Sequence, residues 1–259
     1  MSALRVERRG EVLHVAMVRP ERRNAFDASL ITELTEAFTA VGDVRAVLLT
    51  GDGPSFSAGA DVEWMRSSVD LSYDENVADA LRLRAMLEAI GGCPAPVLAR
   101  VQGHALGGGC GLVACADIAI AAPDAQFAFS EVKLGIVPAV ISPFALAKIG
   151  TGAARRWFVT GERFGADVAV RIGLVHEVSE DLDGAVARVL DELLTAGPEA
   201  ARVAKRLARA PLSADDTARI IAERRTSAEG QEGLRAFLEK RPAIQPEGTR
   251  WGVYADRPK

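Results

Sequence analysis

The chain has 259 residues, with 31 Lys+Arg against 35 Asp+Glu and a formal net charge of -4. With 49% hydrophobic and 25% charged residues it is long and apolar enough for one large core, which excludes a disordered, collagen-like or low-complexity chain. A pI near 5.6 offers no general attraction to phosphate backbones, so nucleic acid is not an expected partner.

Strand-like runs at Leu4 to Arg8 and Val12 to Val18 flank Arg9-Gly10, a hairpin signal. Asp27 then stands as N-cap before an apolar pattern at Leu30, Ile31, Leu34, Ala37 and Phe38, which predicts a helix. Ala46 to Leu49 reads as a buried strand, and the small-residue loop Gly51 to Asp61 leads to a helix over about Asp74 to Ile90. Pro96 to Val101 reads as another strand. Gln102-Gly103-His104 turns it into the run Gly107-Gly108-Gly109, which opens an apolar helix through Ala116, and a further strand follows at Ile118 to Ala121. Strands alternating with helices predict an α/β architecture with covered sheet faces.

Beyond about Asp181 every segment is helical in pattern, punctuated by Gly197-Pro198, Ala210-Pro211 and Gly230. A helical tail too small for its own core is expected to pack on a partner subunit. Cys93, Cys110 and Cys115 are odd in number and form no CxxC pair, which fits a reducing, cytoplasmic setting. The N-terminal residues lack the apolar core of a signal peptide, and the longest apolar run, Ala105 to Ala116, is too short to span a bilayer, so no membrane association is expected.

Ser130-Glu131-Val132-Lys133 matches SxxK formally, but no SDN or KTG follows, and no P-loop, GxSxG or strand-borne GxGxxG is present. His14, His104 and His176 are scattered, so no metal site is expected. What remains are two glycine-bearing loops, each leaving a strand for a helix: Ser57-Ala58-Gly59-Ala60-Asp61 and Ala105-Leu106-Gly107-Gly108-Gly109-Cys110. The first N–H groups of a helix lack internal partners and sit at the positive end of its dipole. Two such loops that converge make an oxyanion hole; either alone is as well explained by tight turns and close packing.

Three stretches in this order and spacing resemble the enoyl-CoA hydratase/isomerase (crotonase) superfamily: Phe56 to Asp61, Gly103 to Gly109, and Ser130-Glu131-Val132-Lys133-Leu134-Gly135-Ile136-Val137-Pro138. The flanks Arg19 to Ala25, Ala166 to Val175 and Glu229 to Arg241 extend the resemblance over almost the whole chain. It implies a crotonase-like spiral of repeated ββα units over residues 1–190, carrying the acyl-CoA site, with a C-terminal helical region over 191–259 that forms a homotrimer or a dimer of trimers.

Carried over residue by residue, the resemblance implies that the N–H groups of Ala60 and Gly108 hold the thioester oxygen, with Ala58, Asp61 and Gly107 around the bound acyl-CoA. Arg22, Arg23 and Lys240 are the candidates for the CoA phosphates, because Glu63 stands where many relatives have Lys. Of the two glutamates that face substrate in family hydratases, Glu131 provides the second and Gly111 replaces the first. On the residues alone, Glu131 reads as an ordinary first-turn glutamate after an N-cap Ser130; the resemblance makes it the catalytic acid and base. The implied activity is enoyl-CoA hydration, with Δ3,Δ2-enoyl-CoA isomerisation or non-catalytic acyl-CoA binding as alternatives. The resemblance implies no cofactor, coenzyme A being part of the substrate. The local text around Gly111 and Glu131 looks like a branch associated with methylglutaconyl-CoA and isohexenylglutaconyl-CoA. That likeness implies a branched or carboxylated acyl chain, with Gly111 making room for it.

Overall fold

The computed structural model describes residues 2–209, 211–245 and 248–255. The chain opens with the expected hairpin, β1 (Leu4–Arg9) and β2 (Val12–Met17), and continues through α1 (Ala28–Thr39) and β3 (Ala46–Gly51). Helices α2 (Val62–Ser67) and α3 (Tyr73–Gly92) follow, then β4 (Val97–Val101), β5 (His104–Leu106), α4 (Gly108–Cys115), β6 (Ile118–Ala121) and β7 (Gln126–Ala128). After a 3-10 turn at Ser130–Leu134 come α5 (Ser142–Thr160), β8 (Phe164–Gly165), α6 (Ala166–Arg171) and β9 (Glu177–Val178). The remainder is α7 (Leu182–Thr195), α8 (Pro198–Leu207), α9 (Ala214–Thr226), α10 (Ala228–Leu238) and the short strands β10 (Ala243–Ile244) and β11 (Arg250–Trp251). Among the described residues no helix is long and apolar enough to cross a membrane.

The main sheet has the order β1-β2-β3-β4-β6-β9, with β1 antiparallel to β2 and the other pairings parallel. Its register lines Val15, Leu49, Ala99 and Ala119 up in one row, all fully buried, as befits parallel strands covered on both faces. A second layer runs beside it. Isolated bridges pair Phe26 with Ala60 and Ser57 with Ala105, and β5, β7 and β8 pair beyond them. Each turn of the chain therefore adds one long strand to the first layer, one short strand or bridge to the second, and then a helix. That is the expected spiral of ββα units.

Asp27 caps α1 by accepting from the Leu30 N–H at 3.0 Å, and Ser72 with Glu75 forms a reciprocal capping box at the start of α3. Helix α7 packs on the sheet through Leu182, Ala185 and Val186 against Leu98 and Ile120. The division expected after residue 190 falls inside this helix. The purely helical reading of the tail needs correction: β10 and β11 pair antiparallel and, with Ala236, bury Trp251 in a small cluster of their own. Two-residue strands are too short to show alternation in sequence.

Helix α8 is held to the core by charge. Lys205 reaches into the protein to pair with Asp117 at 2.7 Å and to donate to the Ala95 carbonyl at 2.9 Å. Arg209 adds a second contact to Asp117 at 2.6 Å and bonds the Gly91 carbonyl. The Asp117 carboxylate also accepts from the Val97 N–H at the start of β4, so one side chain fixes a strand end and a helix together. The Lys205 side chain is 6% exposed, and removing its partner leaves a buried charge unpaired. Asp117→Ala is therefore expected to cost about 3–5 kcal/mol of stability in a urea titration, and Asp117→Ala/Lys205→Met to recover most of that loss.

Candidate active site

The first glycine loop is shaped from the segment Arg19 to Asp27. Asn24 is fully buried in a left-handed conformation, φ 52°, which an asparagine tolerates. Its side chain donates to the carbonyls of Asp52 and Ser55, and its backbone carbonyl accepts from the Ser57 hydroxyl at 2.9 Å. The Arg23 carbonyl accepts from the Ala58 N–H, and Phe26 exchanges bonds with Gly59 and Asp61. Asp61 then ends the loop as the N-cap of α2 by accepting from the Glu63 N–H at 2.8 Å.

The second loop is zipped to the first. Ser57 donates to the His104 carbonyl at 2.9 Å and accepts from Leu106 at 3.0 Å. Gly59 has φ +85°, and a Cβ there would meet the Leu106 carbonyl oxygen at 2.4 Å and the Gly108 nitrogen at 3.2 Å. Only glycine allows that approach. The outcome is that Ala60 and Gly108 present backbone N–H groups side by side, and among the described residues neither has an acceptor within the protein. Gly108 is the first residue of α4, so its N–H also carries the positive end of that helix's dipole.

These two residues, with Ala58, Gly107 and Glu131, line one cavity of about 300 Å³. The rest of its wall is mostly apolar, with Phe26, Trp64, Met65, Leu83, Val140 and Ile141 among the contributors. Glu131 comes from the 3-10 turn, and its Oε2 is buried without a hydrogen-bond partner. Burial pushes its carboxyl above the ordinary carboxylate range, and only its own backbone N–H favours the charged form. A carboxyl with one buried, unpartnered oxygen, in the same cavity as two free N–H donors, makes Glu131 the candidate proton carrier of this site.

Several sequence expectations are corrected by this geometry. Ser130 is not an N-cap; that position belongs to Phe129, and no side chain caps the turn. Asp61 does not face the cavity. It is 4% exposed and tied to Arg22 at 2.9 Å and to Arg19 at 3.4 Å. Burial alone would raise its carboxyl, but the Arg22 hydrogen bond and the α2 N–H groups outweigh that and hold it below its ordinary value. The same pair occupies one terminal nitrogen of Arg22, whose side chain is otherwise exposed. Arg23 is exposed next to Ala58 and keeps its side chain available, whereas Lys240 follows α10 and lies outside the cavity.

Gly111 does not make room for a ligand. A Cβ there would lie 2.6 Å from Cγ2 of Ile141 and 3.6 Å from Cδ2 of Leu87. The volume of a side chain at 111 is already filled by Ile141, which itself lines the cavity. Sequence reasoning missed Ile141 because nothing in the local pattern links two residues thirty positions apart.

The sequence model of the family described as enoyl-CoA hydratase/isomerase matches residues 7–245. A crotonyl-CoA hydratase of Syntrophomonas wolfei is 35% identical over 238 residues, covering 87% of this chain and 90% of its own. Among solved structures, an enoyl-CoA hydratase from Shewanella pealeana superposes with a TM-score of 0.87 at 39% identity, covering 92% of this chain and 94% of its own. Pseudomonas aeruginosa AtuE superposes with a TM-score of 0.88 at 37% identity, covering 92% and 97%.

Two outcomes follow from this packing. Because the fold raises the Glu131 pKa, wild type loses stability relative to its protonated form as pH rises through that value, whereas glutamine mimics the protonated form throughout. Glu131→Gln is expected to melt above wild type at pH 8, with the gap closing as pH falls to about 4, where the unfolded-state carboxyl also protonates. Gly111→Ala is expected to destabilise by about 1–3 kcal/mol through overpacking against Ile141. Combined with Ile141→Ala it should be milder than the sum of the single changes by at least about 1 kcal/mol, as a double-mutant cycle of denaturation midpoints will show.

Proposed function

The chain belongs to the enoyl-CoA hydratase/isomerase family, and from that membership we propose that it hydrates the α,β double bond of an uncharged enoyl-CoA, straight or branched. The observation that carries this reading is the buried, unpartnered Glu131 carboxyl in the same cavity as the free N–H groups of Ala60 and Gly108. The two N–H groups accept the thioester oxygen and stabilise it most when it carries the enolate charge. One such donor is worth about 2.7–4 kcal/mol of barrier.

Glu131 moves the proton. In its ionised form it takes a proton from water as the water oxygen bonds C3 and the π electrons shift to the thioester oxygen. It then returns that proton to C2 as the enolate collapses, so one carboxyl serves as base and acid in turn. Burial raises its pKa above the ordinary carboxylate value, which makes the protonated form a weaker acid and the ionised form a stronger base than a solvated glutamate.

The carboxylated chain implied by the sequence likeness is not part of this proposal. The described cavity wall holds two carboxyl groups, Glu131 and Asp79, and no Lys, Arg or His, so a second carboxylate on the substrate would be desolvated without a counter-ion. A second reading is favoured by one feature. With Ile141 in the space beside Gly111, Glu131 is the sole carboxyl on the glycine-loop side of the described wall, and a lone carboxyl suffices to move a proton between C2 and C4 of a β,γ-enoyl-CoA. The CoA phosphates are assigned first to Arg23, whose side chain has no ion pair among the described residues, and then to Arg22, which shares its guanidinium with Asp61. The exposed Leu234, Phe237 and Leu238 on α10 support assembly of the helical tail with further copies.

Assays of crotonyl-CoA, 3-methylcrotonyl-CoA, 3-methylglutaconyl-CoA and a β,γ-enoyl-CoA separate these readings. Hydration of the first two with little turnover of the third is the expected pattern; migration without hydration favours isomerisation. Glu131→Gln should lower turnover by about 100- to 10,000-fold while acyl-CoA binding, followed by calorimetry, stays within a few-fold. In wild type the acid limb of kcat/KM against pH should lie above the usual carboxylate range, because activity needs the ionised form of a carboxyl whose pKa is raised.

A further inference from the structure

Hydration by a single carboxyl leaves one question of geometry: what fixes the second O–H of the attacking water, so that its lone pair points at C3. A glutamate at 111 is absent, and Ile141 closes that side with hydrocarbon. Of the other polar side chains in the described cavity wall, Ser68 follows α2, Asn76 and Asp79 lie on α3, and only Ser130 belongs to the segment that carries Glu131. A serine at the mouth of a helical turn ordinarily spends its oxygen on the turn's own N–H groups. Ser130 does not, because Phe129 holds the capping position, and among the described residues the Ser130 hydroxyl has no hydrogen bond at all.

Its position relative to Glu131 is set by Gly107. The point where a Cβ on Gly107 would lie is 3.4 Å from Glu131 Oε1 and 3.8 Å from Ser130 Oγ. Gly107 sits at φ +51° at the end of the second loop, immediately before the Gly108 N–H. The missing side chain thus leaves a gap flanked by both oxygens, next to the oxyanion donors. A water lying over the bare Gly107 α-carbon therefore meets two acceptor oxygens, Glu131 Oε1 and Ser130 Oγ.

Resting on the hydration reading above, we infer that Ser130 is a catalytic residue whose Oγ holds the attacking water against Glu131, in the role that a second carboxyl would otherwise fill. The water donates one O–H to Glu131 and the other to Ser130. Its oxygen lone pair forms the bond to C3, and the C2=C3 π electrons move to the thioester oxygen held by Ala60 and Gly108. The proton taken by Glu131 passes to C2, and the Ser130 hydroxyl is unchanged at the end. No group outside the cavity is consumed. Since serine orients the water and takes no proton, it contributes to C–O bond formation and nothing to proton transfer at C2.

That division gives the test. Wild type and Ser130→Ala are compared in three measurements: hydration of crotonyl-CoA, exchange of the C2 protons of butyryl-CoA with deuterium oxide, and thermal melting. Exchange at C2 of a saturated chain uses Glu131 and the oxyanion donors but no water at C3. Ser130→Ala is expected to lower hydration kcat by about tenfold or more, the scale of one lost hydrogen bond in the transition state, with KM within about twofold. Exchange and melting temperature should match wild type, since the hydroxyl holds no protein group. Hydration at the wild-type rate overturns the role, and so does an exchange rate that falls in proportion to hydration, which would make Ser130 a prop for Glu131. A wild type that exchanges protons but hydrates none of the enoyl-CoA panel overturns the hydration reading itself, a result that the wild-type arm reports independently of the variant.

Discussion

Everything at the site depends on two backbone N–H groups being left without acceptors in a fold where nearly every buried backbone group is paired. The short parallel pairing of Ser57 with Ala105 enforces this. It uses the N–H and carbonyl of Ser57 on neighbouring residues of the second loop, and so places Ala60 and Gly108 beyond the end of the ladder with nothing left to bond. The Arg19 to Asp27 segment exists in this light to hold the first loop still: Asn24 ties down its start, and Arg22 with Arg19 clamps its end at Asp61. A loop free to relax would satisfy its own donors and lose the site.

The two carboxyls nearest the first loop and the 3-10 turn are driven in opposite directions by their surroundings. Asp61 is surrounded by guanidinium and N–H groups that hold it ionised, whereas Glu131 is surrounded by hydrocarbon that favours its neutral form. The first can then act as a fixed charge in a clamp, whereas the second holds its proton to higher pH than a solvated glutamate. Similar residues acquire different work from the groups packed around them.

The hairpin, the Asp27 cap, the parallel strands and the glycine-run helix were legible because each rests on local periodicity or on a capping residue within one turn. The second layer was not: its strands span two or three residues, or a single bridge, and alternation cannot show over so short a length. The two oxyanion loops could be singled out from their glycines, but their convergence needed either the family resemblance or the Ser57–Ala105 pairing itself. Glu131 looked like any first-turn glutamate, and what distinguishes it, burial without a partner, exists only after folding. Asp61 was assigned to the ligand because its sequence neighbours are, although its side chain turns away from them. Ile141 could not have been found at all, since its meeting with Gly111 is a tertiary contact with no local signature.

The Asp117 clasp on α8 has a consequence for how the protein is made. Arg209 lies 92 residues after Asp117, so during synthesis the parallel strands leave the ribosome long before the cations that neutralise this carboxylate. Until α8 emerges, Asp117 must stay hydrated, and the end of β4 that it bonds stays wet with it. When α8 packs in place, Lys205 and Arg209 take the place of that water on Asp117 at the end of an interior strand. A chain interrupted before Lys205 would therefore retain Asp117 as a solvated charge at the margin of its core, without the cations that pair with it in the complete fold.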